Sequence, residues 1–124
     1  MSVLPQEIQV WYVLPALRRE LARVLIRGHG LVQKKVASIM GVSEGAVSQY
    51  LSSKRGTIVR FDRHVLAEVE ASAMRISNNS STAMDELMRL SSLDKVKQMV
   101  CRLHMEQDSS VGRDCDICFR HSAF

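Results

Sequence analysis

The chain has 124 residues, of which 46% are hydrophobic, 24% charged and 5% aromatic, which excludes wholesale disorder and suits one compact unit or a small domain with an appendage. With so few aromatics and seven Met, the core must be built mostly from Leu, Val, Ile, Ala and Met. The net charge of +4 is unevenly spread: residues 1–60 hold nine Lys/Arg against three Asp/Glu, a net +6, and residues 61–124 hold eight against ten, a net −2, so only the first half suits a polyanion.

No apolar run reaches the roughly 18 residues of a membrane span, and Met1 to Glu7 has no basic stretch ahead of an apolar one. The chain is therefore predicted to be cytoplasmic. Its pattern is helical nearly throughout, with Thr57 to Phe61 the one weak strand candidate. Pro5 suits the first turn of a helix, where its missing N–H does no harm. Pro15 predicts a break near Val13–Leu14, because proline disfavours helical backbone in the residue before it. From Pro15 to Arg27, Leu17, Leu21, Val24 and Leu25 recur at spacings of three and four, with Arg18, Arg19 and Arg23 elsewhere on the turn. Gly28-His29-Gly30 stops that helix. A short helix, Val32 to Met40, is closed by Gly41, and Ser43 caps another, Glu44 to Ser52. Asp62 can cap a helix over Arg63 to Ile76 with Val65, Leu66, Val69, Ala73 and Ile76 as its apolar stripe. After the turn cluster Asn78-Asn79-Ser80-Ser81, Thr82 and Asp85 resemble a capping box for a helix through Leu90. Ser92 is placed to cap a last helix, Leu93 to about Gln107. The polar loop Asp108 to Gly112 and the tail Arg113 to Phe124 follow.

The segment Gln33 to Leu51 carries a second level of pattern. Two short helices meet at a wide angle only under tight local constraints. Ala37 is small where a second helix must come close, Gly41 can take a positive φ, and Val47 is a β-branched residue six positions beyond. Val36, Met40, Val42, Val47 and Leu51 supply the apolar wedge beneath the pair. Each member has its own steric reason, which makes the pattern specific for a helix-turn-helix.

That stretch resembles the helix-turn-helix of phage-repressor-like (Xre/Cro-type) regulators. The runs Val13-Leu14-Pro15-Ala16-Leu17-Arg18 upstream and Val47-Ser48-Gln49-Tyr50-Leu51-Ser52-Ser53-Lys54-Arg55-Gly56 downstream are more closely similar to a group of small archaeal predicted transcriptional regulators, which also tend to carry cysteines near the C-terminus. The resemblance covers residues 8–56 and is loose beyond them. It implies that the second helix lies in the major groove of double-stranded DNA, its N-terminal residues facing base edges. Carried onto this chain, that gives Ser43, Glu44, Gly45, Ser48 and Gln49. Gln49 can pair with adenine in a bidentate way, Ser48 can take a base or a phosphate, and Glu44 can accept from a cytosine amino group or shun phosphate. Gly45 lets the helix sit close to a base or backbone. Gln33 and Lys34, at the start of the preceding helix, can hold phosphate, while Lys54, Arg55 and Arg60 add electrostatic affinity. Tyr50 is expected to be a partly buried aromatic of the motif. The competing reading is a packing or protein-contact module, antitoxin-like or an adaptor, that keeps the fold.

The cysteines form a second constellation. Cys101 and His104 lie three apart on the last predicted helix, and Cys115, Cys118 and His121 repeat that spacing in the tail. Cys101, His104, Cys115 and Cys118 make four ligands of the kind zinc takes, with His121 as an alternative fourth. Three thiolates with one His or Asp can instead hold an iron–sulfur cluster whose state controls DNA binding. Zinc is slightly favoured, because three Cys and one His satisfy it without further help. Asp114 and Asp116 are weaker ligand candidates, a Cys115–Cys118 disulfide switch is a third option, and two exposed tail thiols with one buried helical Cys is the plain structural alternative.

The expected architecture is all-α. Residues 1–60 form a helix-turn-helix DNA-binding domain, and residues 61–124 a helical region with a possible dimerisation role and a metal-binding tail. His29 and His64 have no acidic or nucleophilic partners nearby in sequence, and no Gly-x-Ser-x-Gly or phosphate-binding glycine loop occurs, so no enzymatic activity is expected. A homodimer would set two recognition helices on two half-sites about one helical turn apart. Two stripes are candidate dimer surfaces: Met84, Leu87, Met88 and Leu90, or Ile8, Val10, Trp11 and Leu14.

Overall fold

The computed structural model describes residues 3–52, 56, 59–108, 110, 112 and 115. Among them the chain is all-helical, in six continuous stretches. The first runs unbroken through α1 (Pro5–Ile8), a π-helical turn (Gln9–Val13) and α2 (Leu14–Arg27). Then come α3 (Gln33–Met40), α4 (Glu44–Leu51), α5 (Arg63–Ser77), α6 (Ala83–Ser91) and α7 (Asp94–Gln107). No described helix is long and apolar enough to cross a membrane.

Pro15 does not break the helix. It sits in the first turn of α2, directly after the π turn, whose Leu14 N–H donates to the Gln9 carbonyl. Proline has no N–H for the α ladder and crowds the carbonyl four residues back. Widening the preceding turn by one residue absorbs both demands while the run of helical residues stays unbroken.

α2 is the spine of the core. Leu17, Leu21 and Leu25 are fully buried on it, and α3, α4, α5 and α6 all pack against it. They meet Val36, Ala37, Met40 and Val47 from α3 and α4, and Val65, Val69, Ala73 and Ile76 from α5. α6 adds Ala83 and Leu90, and α7 adds Val96 and Val100. Fully burying each leucine contributes about 1.5–3 kcal/mol. This one cluster draws on residues from both sides of position 60. Leu66, expected in the α5 stripe, is instead exposed. Gly56 follows α4 with φ +74, and a Cβ there would stand 2.5 Å from the Pro15 carbonyl oxygen, so the returning chain can lie this close to α2 only as glycine.

The caps follow sequence chemistry except at α7. Asp62 accepts from Val65 N–H at 3.0 Å and Thr82 from Asp85 N–H at 3.2 Å. Ser92 does not cap α7. It ends α6, its hydroxyl donating to the Met88 carbonyl at 2.9 Å, and the N-cap position of α7 falls to Leu93 without a side-chain bond. With no spare residue between the two helices, one serine cannot serve both ends.

α5 and α6 are tied by a polar network under the surface. The buried Glu86 carboxylate accepts from Ser72 Oγ at 2.7 Å, Ser81 Oγ at 2.6 Å and the Arg75 guanidinium at 2.8 Å. Arg89 reaches Glu86 at 3.3 Å and Glu68 at 2.9 Å. The Arg75 guanidinium, with the three hydroxyl and guanidinium donors behind it, holds the Glu86 carboxyl down from 4.5 to about 2 despite burial. Its contribution is therefore complete above the ordinary carboxylate value of 4.5 and is lost as pH falls toward about 2. Glu86→Ala is expected to cost about 2 kcal/mol at neutral pH, because it takes the acceptor from two hydroxyls and from Arg75, while Arg89 keeps Glu68. The gap from the native protein should narrow on acidification through that window, as read by urea unfolding at stepped pH.

Candidate nucleic-acid interface

The junction of α3 and α4 is built from backbone constraints outward. Gly41 lies in the left-handed region, φ 66 and ψ 34. The Gly41 N–H donates to the Ser38 carbonyl at 3.3 Å and the Val42 N–H to the Ala37 carbonyl at 3.0 Å, closing α3 with a Schellman turn. Two residues later Ser43 Oγ accepts from Ala46 N–H at 3.0 Å and starts α4. Ala37 is buried at the approach, as are Val36, Met40 and Val47, while Val42 and Leu51 are partly buried against the same core.

α4 divides cleanly between two environments. Ala46, Val47 and Tyr50 are buried, so Tyr50 belongs to the packing of the unit. Ser43, Glu44, Gly45, Ser48 and Gln49 are exposed, as are Gln33, Lys34 and Lys35 at the start of α3. The structure thus brings seven of the ten residues singled out for DNA contact onto exposed positions of these two helices and the turn between them, and Arg60 is exposed beyond α4. The other two, Lys54 and Arg55, lie outside the described residues. Gly45 needs no unusual backbone, and a Cβ there would meet only Ser43 Oγ, at 3.8 Å. Its glycine therefore serves no packing need among the described residues.

One contact was not legible in the sequence. Ser48 Oγ donates to Gln33 Oε1 at 2.9 Å, linking the two helices across their exposed edge. Among the described residues α3 has no side-chain cap, so its first N–H groups stand open beside Lys34 and Lys35. Arg60 is exposed and shares a cleft of about 470 Å³ with Arg19 and Arg23, where Glu20 pairs with Arg19 at 2.7 Å and with Arg23 at 4.0 Å.

The metal candidates are distributed differently. Cys101 on α7 and Cys115 are partly buried, and Cys118 and His121 lie outside the described residues, as do Asp114 and Asp116. His104 is buried and turned toward the start of the chain, its Nε2 bonded to the Val3 carbonyl. Asp108 takes the Val3 N–H at 2.9 Å. The Ser110 hydroxyl first, then the Val3 and Ser110 N–H groups, hold the Asp108 carboxyl down to about 2. The end of α7 thus grips both backbone groups of Val3. With Nε2 occupied, His104 could serve a metal only through Nδ1, an arrangement in which the carbonyl would fix the tautomer. No three His, Cys, Asp or Glu side chains converge as a metal site among the described residues.

Comparison with family models, curated proteins and solved structures found no match to the chain.

Two glycines of this unit should respond oppositely to alanine. Gly41→Ala meets no atom within 4 Å but forces a side chain into left-handed backbone, and is expected to lose about 1–2 kcal/mol. Gly45→Ala fills open space in a helix and is expected to gain up to about 1 kcal/mol. Thermal unfolding of both variants beside the native protein checks the opposed signs.

Proposed function

We propose that the protein is a sequence-specific DNA-binding transcriptional regulator, with α3 and α4 as its helix-turn-helix and α4 as the helix that enters the major groove. One observation carries the reading: the buried side of α4 is wholly apolar or aromatic, while its exposed edge presents Glu44, Gly45, Ser48 and Gln49 beside the open, lysine-bearing start of α3. Base readout needs such an edge, rigid from below and rich in short polar groups, and phosphate binding needs cations and free N–H groups next to it. Gln49 reads a base edge. Ser48 and Gln33, already joined, set the spacing between base and phosphate contacts. Gly45 gives the approach distance. The net +6 of residues 1–60 supplies sequence-independent attraction. A unit this small binds one half-site modestly, so the working form is a homodimer.

The target can be found by selecting bound duplexes from a random pool and then measuring affinity by fluorescence anisotropy over a range of salt. Gln49→Ala should lose on the order of 1–3 kcal/mol on the selected site and little on random DNA. Lys34→Ala should weaken both alike and flatten the salt slope by about one unit. Gly45→Leu should melt no lower than the native protein yet bind the selected site at least about tenfold more weakly, a loss with no folded-state cause. Equal losses on both DNAs for Gln49→Ala would remove its base-reading role, and absence of any salt-dependent binding would leave the protein-contact module as the better reading.

The same proposal extends to control. Cys101, Cys115 and Cys118, with His104 through Nδ1 or His121, would hold zinc or an iron–sulfur cluster next to the clamp on Val3. Zinc would bind there as a structural ion, and a cluster would add redox chemistry. Protein purified without oxygen should carry metal. A colourless preparation with one zinc per chain selects zinc, a brown one with visible absorbance selects the cluster, and folded protein free of both metals removes the proposal.

A further inference from the structure

The cleft of about 470 Å³ that holds Arg60 is separate from the exposed edge of α4, since none of Ser43, Glu44, Gly45, Ser48 and Gln49 lines it. One side comes from α2 with Arg19, Glu20 and Arg23, another from the segment after α4 with Val59, Arg60 and Phe61, and Leu66 adds the start of α5. Three arginines and one glutamate give this lining a net charge of +2. Glu20 is shared between Arg19 at 2.7 Å and Arg23 at 4.0 Å, and Arg60 forms no ion pair among the described residues. The chain beside it supplies no acid either: residues 53–58 read Ser-Lys-Arg-Gly-Thr-Ile. Asp62 is engaged in capping α5 through the Val65 N–H and does not line the cleft. Arg60 also borders a smaller hollow with Arg102 and Glu106 of α7, but no ion pair joins Glu106 to it.

We infer that this cleft is a binding site for a small phosphate monoester carrying an apolar body. The charge of the lining names the anion. A dianion balances the net +2, and arginine forks match phosphate oxygens in a bidentate way. The remaining lining names the body. Val59, Phe61 and Leu66 set apolar surface beside the guanidinium groups, and a bare phosphate would leave that surface uncovered. The volume lies within the roughly 300–1,000 Å³ of small-molecule sites. The phosphates of a DNA backbone share this chemistry, but the site is recessed: only 16% of the Arg19 side chain and 32% of the Arg23 side chain is exposed. A duplex meets cations that stand out from a surface, whereas a small molecule can enter a cleft. A ligand held by Arg23 and Arg60 together would tie α2 to the segment that leaves α4, near where Gly56 already lies against the Pro15 carbonyl. The inference stands apart from the DNA-binding reading, because filling the cleft requires no DNA.

Calorimetric titration of the full chain with naphthyl phosphate should give a Kd at or below about 1 mM. Naphthol lacks the anion, inorganic phosphate lacks the body, and naphthoate carries a single negative charge. Each should bind at least about tenfold more weakly. Arg60→Ala and Leu66→Glu should each cost at least about tenfold in affinity for naphthyl phosphate, and Arg23→Ala should do the same from the α2 side. Arg60 and Leu66 are exposed, and an acid in the first turn of α5 favours that helix, so circular dichroism and the melting temperature should show the fold retained. Native protein that binds naphthyl phosphate no better than naphthol, naphthoate or inorganic phosphate overturns the site. So does a folded Arg60→Ala or Leu66→Glu that binds it unchanged. A native protein that ignores naphthyl phosphate, with an Arg23→Ala variant that loses affinity for random duplex DNA, would assign the cleft to the DNA backbone and overturn the proposal as well. Naphthyl phosphate bound by a protein that binds no DNA would uphold this site and defeat only the DNA reading.

Discussion

The structure depends on the burial of one leucine row. Leu17, Leu21 and Leu25 of α2 reach solvent nowhere, and four of the other helices are placed by what they bring to that row. α3 and α4 bring Val36, Ala37, Met40 and Val47, α5 brings its valines, and α6 brings Leu90. The apolar side of α4 is thereby committed to the spine, and its polar edge has only one direction left. The surface read here as a DNA-contact edge is thus a consequence of core packing. Side chains locked from below also give a groove-reading helix the rigidity it needs.

Where local stability and surface chemistry disagree, the surface wins at Gly45. A glycine in the first turn of a short helix gives up helix propensity, and nothing around it requires the absence of a Cβ. Gly41 and Gly56 differ, since their backbone angles or the nearness of the Pro15 carbonyl demand glycine. The contrast separates two glycines that the described fold requires from one that it does not. The Ser48–Gln33 bond has the same character: it is exposed, contributes little to the core, and fixes the relative setting of two edges that face outward together.

The second half of the chain braces the first. Glu86 and its serine and arginine donors lock α5 to α6. At the far end, His104 and Asp108 on and after α7 hold Val3, which ties the start of the first helix to the stretch leading toward the cysteines.

Local rules reached far into this protein. Helix positions followed from apolar spacing, and Asp62, Thr82, Ser43 and Gly41 marked ends that do not depend on distant residues. The exposed edge of α4 followed too, because a period near 3.6 sorts Ala46, Val47 and Tyr50 to one side and Ser48 and Gln49 to the other. Tertiary structure decided what involves partners far apart in the chain. Pro15 ends no helix because the π turn carries the helical backbone from α1 into α2 without a break. Ile8 and Leu90 left the candidate surface stripes for that core, while Val10 and Leu14 joined Met84, Leu87 and Met88 in a single groove. His104 turned to Val3, a residue about a hundred positions away. Periodicity reports which side of a helix is apolar, but only packing decides whether that side meets the core, a neighbour in the groove, or open solvent.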